Sequence, residues 1–176
     1  MTEKEGVPRH KLQELILPEL YGRLWHTTHP ERFNDVLASG AILPRPAVRN
    51  PDAWKTLSGE IYCPYACKLG GVSLFDFDHF DPESYTKKCP MSSWYEFVPY
   101  RSDWDCAIWI EIDREQVAPQ VISGSDLLAR QKSEGAERHA IMSYIEAAHL
   151  GPLPRTSFKR AFLVGKGDSQ LRPLPI

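Results

Sequence analysis

Four short stretches of the chain carry side chains suited to chemistry. The first, His26-Thr27-Thr28, sets an imidazole and two hydroxyls at what reads as a strand end, where they can donate hydrogen bonds to a sugar or an amide. The second is Gly70-Gly71-Val72-Ser73. Its glycines let backbone approach a ligand or a neighbouring strand, and Ser73 offers a hydroxyl, but no G-x-G-x-x-G or Walker sequence accompanies it. The third is Glu146, a carboxylate in the otherwise apolar segment SYIEAAHLGPLP. In a strand, Tyr144, Glu146 and Ala148 share one face, turned to solvent or to a pocket. The fourth, Glu137-Arg138-His139, reads as a solvated charged turn rather than acid–base machinery. Each of the other three also has a plain structural reading: Thr28 as a helix cap, the glycines as a β-bulge, Glu146 as an exposed face residue.

Several mechanisms are disfavoured by what does not occur. There is no G-x-S-x-G elbow, H-E-x-x-H helix or EF-hand loop, and no cysteine lies in a protease signature. Of the four cysteines, Cys63 and Cys67 are the one close pair. A zinc site would need two more ligands for them, such as Cys89 and His79, and the C-x3-C spacing lacks a second matching pair. The expectation is therefore structural thiols and no metal. Cys106 opens an apolar run and reads as a small buried hydrophobe.

The elements that must position these groups are legible in outline. Leu12, Leu15, Ile16 and Leu20 have helical spacing over residues 11–20, limited by Pro18. Residues 20–27 alternate as a strand. Thr28 and Glu31 have the form of a capping box for a helix that carries Phe33, Val36 and Leu37 and closes at Gly40. Residues 44–59 read as a loop with one helical turn near Trp54, and Gly70-Gly71 as a turn feeding a strand through Phe75. Residues 76–100, rich in Pro, Ser, Asp and aromatics, read as a long ordered loop that either lines a pocket or is pinned by aromatic anchors. Residues 106–112 form the strongest strand. A short helix over 113–116, a strand over 120–123 and a helix through Leu127, Leu128 and Gln131 follow. Residues 140–148 suit helix and strand equally, and residues 159–164 read as the closing strand.

Composition places these elements in one domain spanning 1–176. The 176 residues are 42% hydrophobic and 25% charged, ordinary for a globular protein and enough to bury a core. A net charge of -2 gives no footprint for non-specific phosphate binding, though a local basic patch is compatible with it. No apolar run reaches the roughly 18–20 residues that span a bilayer, and the first residues lack a signal-peptide core. A cytoplasmic protein with no membrane partner is expected.

Taken in order, LWHTTHPERFNDVLASGAILP, GGVSLFDF and YIEAAHLGPLPRTSFKRAFLV resemble the scattered motifs of small bacterial ADP-ribosyltransferases, in particular the DarT-type toxins. In that pattern an H-x-T strand precedes a helix ending in a small residue and Gly. A middle strand then carries Ser or Thr, and a late strand carries Glu before a Pro-containing turn. The three segments cover under half of the chain. The resemblance implies an α+β fold, a single domain with a split, curved, mixed β-core and flanking helices, holding NAD as substrate in the cleft between its halves. It implies that His26 and Thr27 bind NAD, that Ser73 supports the cleft, and that Glu146 is the catalytic carboxylate. Phe75, Tyr62 and Trp94 are the candidate aromatics for stacking on nicotinamide. The acceptor of ADP-ribose is left open between nucleic acid, protein and other molecules, and an antitoxin is the implied protein partner. Two departures matter: the chain is slightly acidic, and only Arg45 and Arg49 are at hand for the early arginine of the pattern. The alternatives are a catalytically inactive module binding NAD or another nucleotide, and a structural or interaction protein.

Overall fold

The computed structural model describes residues 7–45 and 63–176. Arg49, Trp54 and Tyr62 lie outside the described residues. The fold is α+β, a seven-stranded sheet with helices around it and a separate two-stranded pair. Every strand pairing among the described residues is antiparallel, so the sheet is more uniform than the mixed core expected.

The chain enters through helix α1 (Arg9–Leu20), which buries Leu12, Ile16 and Leu20 on one stripe. Pro18 sits in its last turn, where it deletes one intrahelical bond and is tolerated. Gly22, at φ 71°, turns the chain, so strand β1 begins at Leu24 and not at residue 20 (β1, Leu24–Thr28). Helix α2 (Pro30–Ser39) follows. Its cap is His29 and not Thr28: Pro30 takes the first helical position, which holds the preceding residue extended, and the His29 ring accepts a hydrogen bond from the Glu31 amide. Thr28 is instead a buried strand residue. Gly40 closes the helix at φ 74°, as expected.

Strand β2 (Ala41–Ile42), helix α3 (Tyr65–Lys68) and strand β3 (Gly71–Asp76) come next. Residues 76–100 are not a long loop. They hold helix α4 (Pro82–Lys88), capped by Asp81, and a 3-10 turn at Trp94–Glu96. Phe77, Phe80, Tyr85, Trp94 and Tyr100 are buried, so most of these aromatics are core and not pocket lining. Strand β4 (Cys106–Ile112) spans the expected residues, although Cys106 at its start is only half-buried. Helix α5 (Arg114–Val117), strand β5 (Val121–Ile122) and helix α6 (Gly124–Ser133) follow. The ambiguous segment resolves to a turn followed by strand β6 (Glu146–Leu150). Strands β7 (Leu153–Pro154), β8 (Phe158–Gly165) and β9 (Arg172–Leu174) complete the chain, so β8 is not the last strand.

The sheet order is β5-β6-β3-β1-β4-β8-β9, and β2 pairs with β7 apart from it. Both faces are covered, which is why β4 is buried nearly throughout. Ala107 and Trp109 face an aromatic core with α1, Trp25, Phe77 and Trp94, whereas Ile108, Ile110 and Ile112 face an aliphatic core with Phe33 and Val36 of α2. Among the described residues no helix is long and apolar enough to cross a membrane.

Candidate functional site

The site grows from a gap in the sheet. On one side β1 pairs with β4 over its whole length, Leu24 opposite Ile112 through Thr28 opposite Ile108. On the other it pairs with β3 only at Leu24–Asp76 and Trp25–Phe75. Beyond Trp25 the two strands separate, and the His26 ring bridges the opening. Its Nδ1 lies 3.0 Å from the Ser73 carbonyl, standing in for the missing ladder bond. A carbonyl only accepts, so Nδ1 carries the hydrogen and Nε2 is left as an acceptor. Burial, supported by the nearby Arg32 charge, pushes the imidazole down to about 4 despite this bond. His26 is therefore neutral at pH 7 and offers an acceptor, where the sequence had suggested a donor.

Ser73 uses its carbonyl for His26 and its hydroxyl for Glu146. On the adjacent strand β6, Glu146 lies directly opposite Phe75, so its carboxylate shares a face with Phe75 and Ser73. Ser73 Oγ donates to Glu146 Oε1 at 2.7 Å. The Met142 amide donates to Oε2 at 2.7 Å, while the Met142 carbonyl accepts from the Glu146 amide at 2.9 Å. Burial raises the carboxyl above its ordinary range, and these two donors partly offset that by favouring the ionised form. Three residues far apart in sequence, His26, Ser73 and Glu146, are thus linked by two successive hydrogen bonds.

The turn over residues 142–145 that holds Glu146 is itself constrained. Tyr144 sits at φ 68°, a conformation costing about 1–3 kcal/mol for a residue other than glycine. Its ring lies 3.7 Å beneath the Lys88 ammonium. Behind it Gly124 opens α6, and a Cβ there would fall 1.9 Å from the Tyr144 carbonyl oxygen. The close approach of the helix start to this turn requires glycine.

These groups line one cleft of about 1290 Å³, larger than the roughly 300–1,000 Å³ of most small-molecule sites. Of the candidate residues, His26, Thr27, Ser73, Phe75, Arg45 and Glu146 all line it. Thr27 Oγ1 is buried without a hydrogen-bond partner among the described residues. Phe75 stacks on Phe77 at 5.5 Å and touches Trp109, so much of its ring is committed to the core. Trp94 is core and does not reach the cleft.

Sequence reasoning missed the character of the cleft wall. Arg32, Arg45, Lys88, Arg101 and Lys132 line it, against the one carboxylate of Glu146 among the described residues. A chain with net charge -2 thus concentrates positive charge at this opening. Arg32 was the most discoverable of these. It lies in the first turn of α2, where helix polarity favours acidic residues and disfavours cations. Burial lowers its affinity for a proton, with Asp35 opposing that shift.

The cysteines do not assemble the zinc set considered from the sequence. Cys63, Cys67 and Cys89 line the cleft, but His79 projects into solvent beside Asp78. No group of three metal-ligating residues occurs among the described residues. The 137–139 turn is only partly solvated: Glu137 and Arg138 are exposed, while His139 is buried with Nδ1 3.0 Å from the Cys63 carbonyl. No protein-family model matches the chain, and no curated protein matches it.

Proposed function

We propose that this chain is an ADP-ribosyltransferase-like enzyme that cleaves the nicotinamide–ribose bond of NAD and transfers ADP-ribose to an acceptor. The observation that carries the reading is the chain of hydrogen bonds from His26 through Ser73 to Glu146 at the floor of one basic cleft. Heterolysis of the glycosidic bond sends its electron pair to nicotinamide and leaves an oxocarbenium-like ribose. A fixed carboxylate beside that developing charge stabilises the transition state more than the ground state, as in glycoside hydrolysis. In this scheme Glu146 engages the ribose 2′-hydroxyl, and His26 Nε2 accepts from another sugar hydroxyl. Thr27 Oγ1 gains the partner it lacks. The acceptor then bonds to the anomeric carbon and gives up its proton. A bacterial toxin, a cytoplasmic site of action and an antitoxin partner belong to the same proposal.

A binding module for NAD or another nucleotide is the second reading, favoured by the fact that both Glu146 oxygens are already engaged by Ser73 and Met142. Incubation of the protein with NAD, followed by chromatography of free nicotinamide, separates the two. Release that is lost in Glu146→Gln supports the enzyme. Binding without release supports the module, and the absence of both sinks either reading.

A further inference from the structure

Most guanidinium groups outside the cleft have evident partners. Arg114 is held by Asp76 at 2.7 Å, Arg160 by Glu19 at 2.8 Å, and Arg9 spans four carbonyls of residues 95–100. Arg32 differs. It is half-buried and lines the cleft, yet its guanidinium makes no hydrogen bond and no ion pair with any described residue. It also stands in the first turn of α2, where the amide dipoles repel a cation. A partly desolvated charge in an unfavourable field, offset only by the more distant charge of Asp35 and held in no ion pair, costs the folded protein stability. Retention of such a group is explained when its anion arrives with a ligand. Its surroundings narrow the choice. Arg32 is near enough to His26 for its charge to disfavour protonation of the ring, and Thr27, another residue of the cleft wall, has a buried hydroxyl with no partner among the described residues. The other cleft cations, Arg45, Lys88, Arg101 and Lys132, make the opening suitable for more than one negative charge.

We propose that Arg32 is a phosphate anchor that binds the diphosphate of a nucleotide ligand, with its guanidinium forked across two phosphate oxygens. The identity of the nucleotide rests on the NAD reading above, but the anchor itself does not. One terminal group of the ligand would then lie at the His26–Glu146 floor, with the phosphates held at α2.

Isothermal titration calorimetry on the full chain tests this with ADP-ribose, inorganic pyrophosphate and phosphate-free nicotinamide riboside as probes. Arg32→Met should weaken ADP-ribose and pyrophosphate binding about tenfold to hundredfold, the loss expected for charge-assisted hydrogen bonds. Nicotinamide riboside should shift by less than about twofold, and the ligand-free variant should melt no lower than the wild type because a desolvated cation has been removed. If Arg32→Met fails to fold, Arg32→Lys keeps the charge and loses the fork. It should show a smaller loss confined to the phosphate-bearing probes. Unchanged pyrophosphate and ADP-ribose affinity, or an equal loss for nicotinamide riboside, overturns the proposal, as does a wild type that binds neither phosphate-bearing probe. Arg32-dependent binding of pyrophosphate with no binding of NAD or ADP-ribose keeps the anchor and rejects NAD.

Discussion

The two edges of β1 do different work. Toward β4 it forms a continuous five-residue ladder whose side chains fill cores on both faces. Toward β3 it makes two pairs and stops, and an imidazole spans the gap. The closed edge satisfies its polar groups within the sheet. The open edge leaves an acceptor nitrogen and a desolvated carboxylate at one cleft, beside a buried hydroxyl with no partner among the described residues. Stability is concentrated on one side of the strand and unsatisfied polarity on the other, a division expected where a rigid element carries a binding site.

The largest effects should come from the closed edge. Trp109 is fully buried, and its indole donates to the Pro99 carbonyl at 2.6 Å. Trp109→Ala should cost about 3–5 kcal/mol of stability, measured by urea denaturation. A loss below about 1 kcal/mol would show that the ladder is not the mechanical half of the molecule.

On the open edge, Glu146→Gln should lower nicotinamide release by about 10²- to 10³-fold, or roughly 3–4 kcal/mol of transition-state stabilisation. The fold should survive. The amide oxygen can accept from the Met142 amide, while the Ser73 hydroxyl turns to accept from the new NH₂ group. Equal rates for the variant and the wild type would remove Glu146 from the mechanism.

A third expectation concerns acid. The folded-state value of His26 is lowered from 6.5 to about 4, so between those limits the unfolded chain binds the extra proton and the folded chain does not. Its contribution is fully present above pH 6.5 and is lost as pH falls toward about 4, amounting to up to about 3 kcal/mol. His26→Asn keeps a donor for the Ser73 carbonyl and does not titrate. Denaturation midpoints at pH 7 and pH 4 should therefore fall less in the variant, and parallel losses would contradict the assignment.

The smallest effect should be a gain. Thr27→Val replaces the buried, unpartnered hydroxyl with a methyl of the same shape and should stabilise the fold by about 1 kcal/mol while weakening ligand binding. A destabilised variant would mean that the hydroxyl is not an orphan in solution.

Much of this division was legible in the residues. His26 stood out at a strand end ahead of a helix, Ser73 after a pair of glycines, Glu146 as a carboxylate in an apolar segment, and β4 because its alternation was unbroken. Gly40 and Gly70 marked their turns correctly. What could not be read was tertiary. Whether residues 140–148 formed helix or strand depended on the waiting edges of β3 and β5, which no local propensity reports. The aromatics of residues 76–100 fitted pocket lining and aromatic anchors equally, and most of them pack into the core with α1. The T-x-x-E pattern at Thr28 points one residue too early, because Pro30 occupies the first helical position and makes His29 the cap. The basic cleft escaped a reading by net charge because its five cations come from distant parts of the chain.

Gly124 gives the site a rear support. It does not itself line the cleft, yet its missing side chain lets α6 press against the Tyr144 carbonyl, and that turn delivers the Met142 amide to Glu146. A methyl group added at this position would have to move either the helix or the turn. Withdrawing the amide would leave the carboxylate one donor short and shift its proton affinity upward. The acidity of the Glu146 carboxyl is therefore governed partly from behind, by a position with no functional group at all. A search for activity-altering substitutions guided only by proximity to a bound molecule would pass over it.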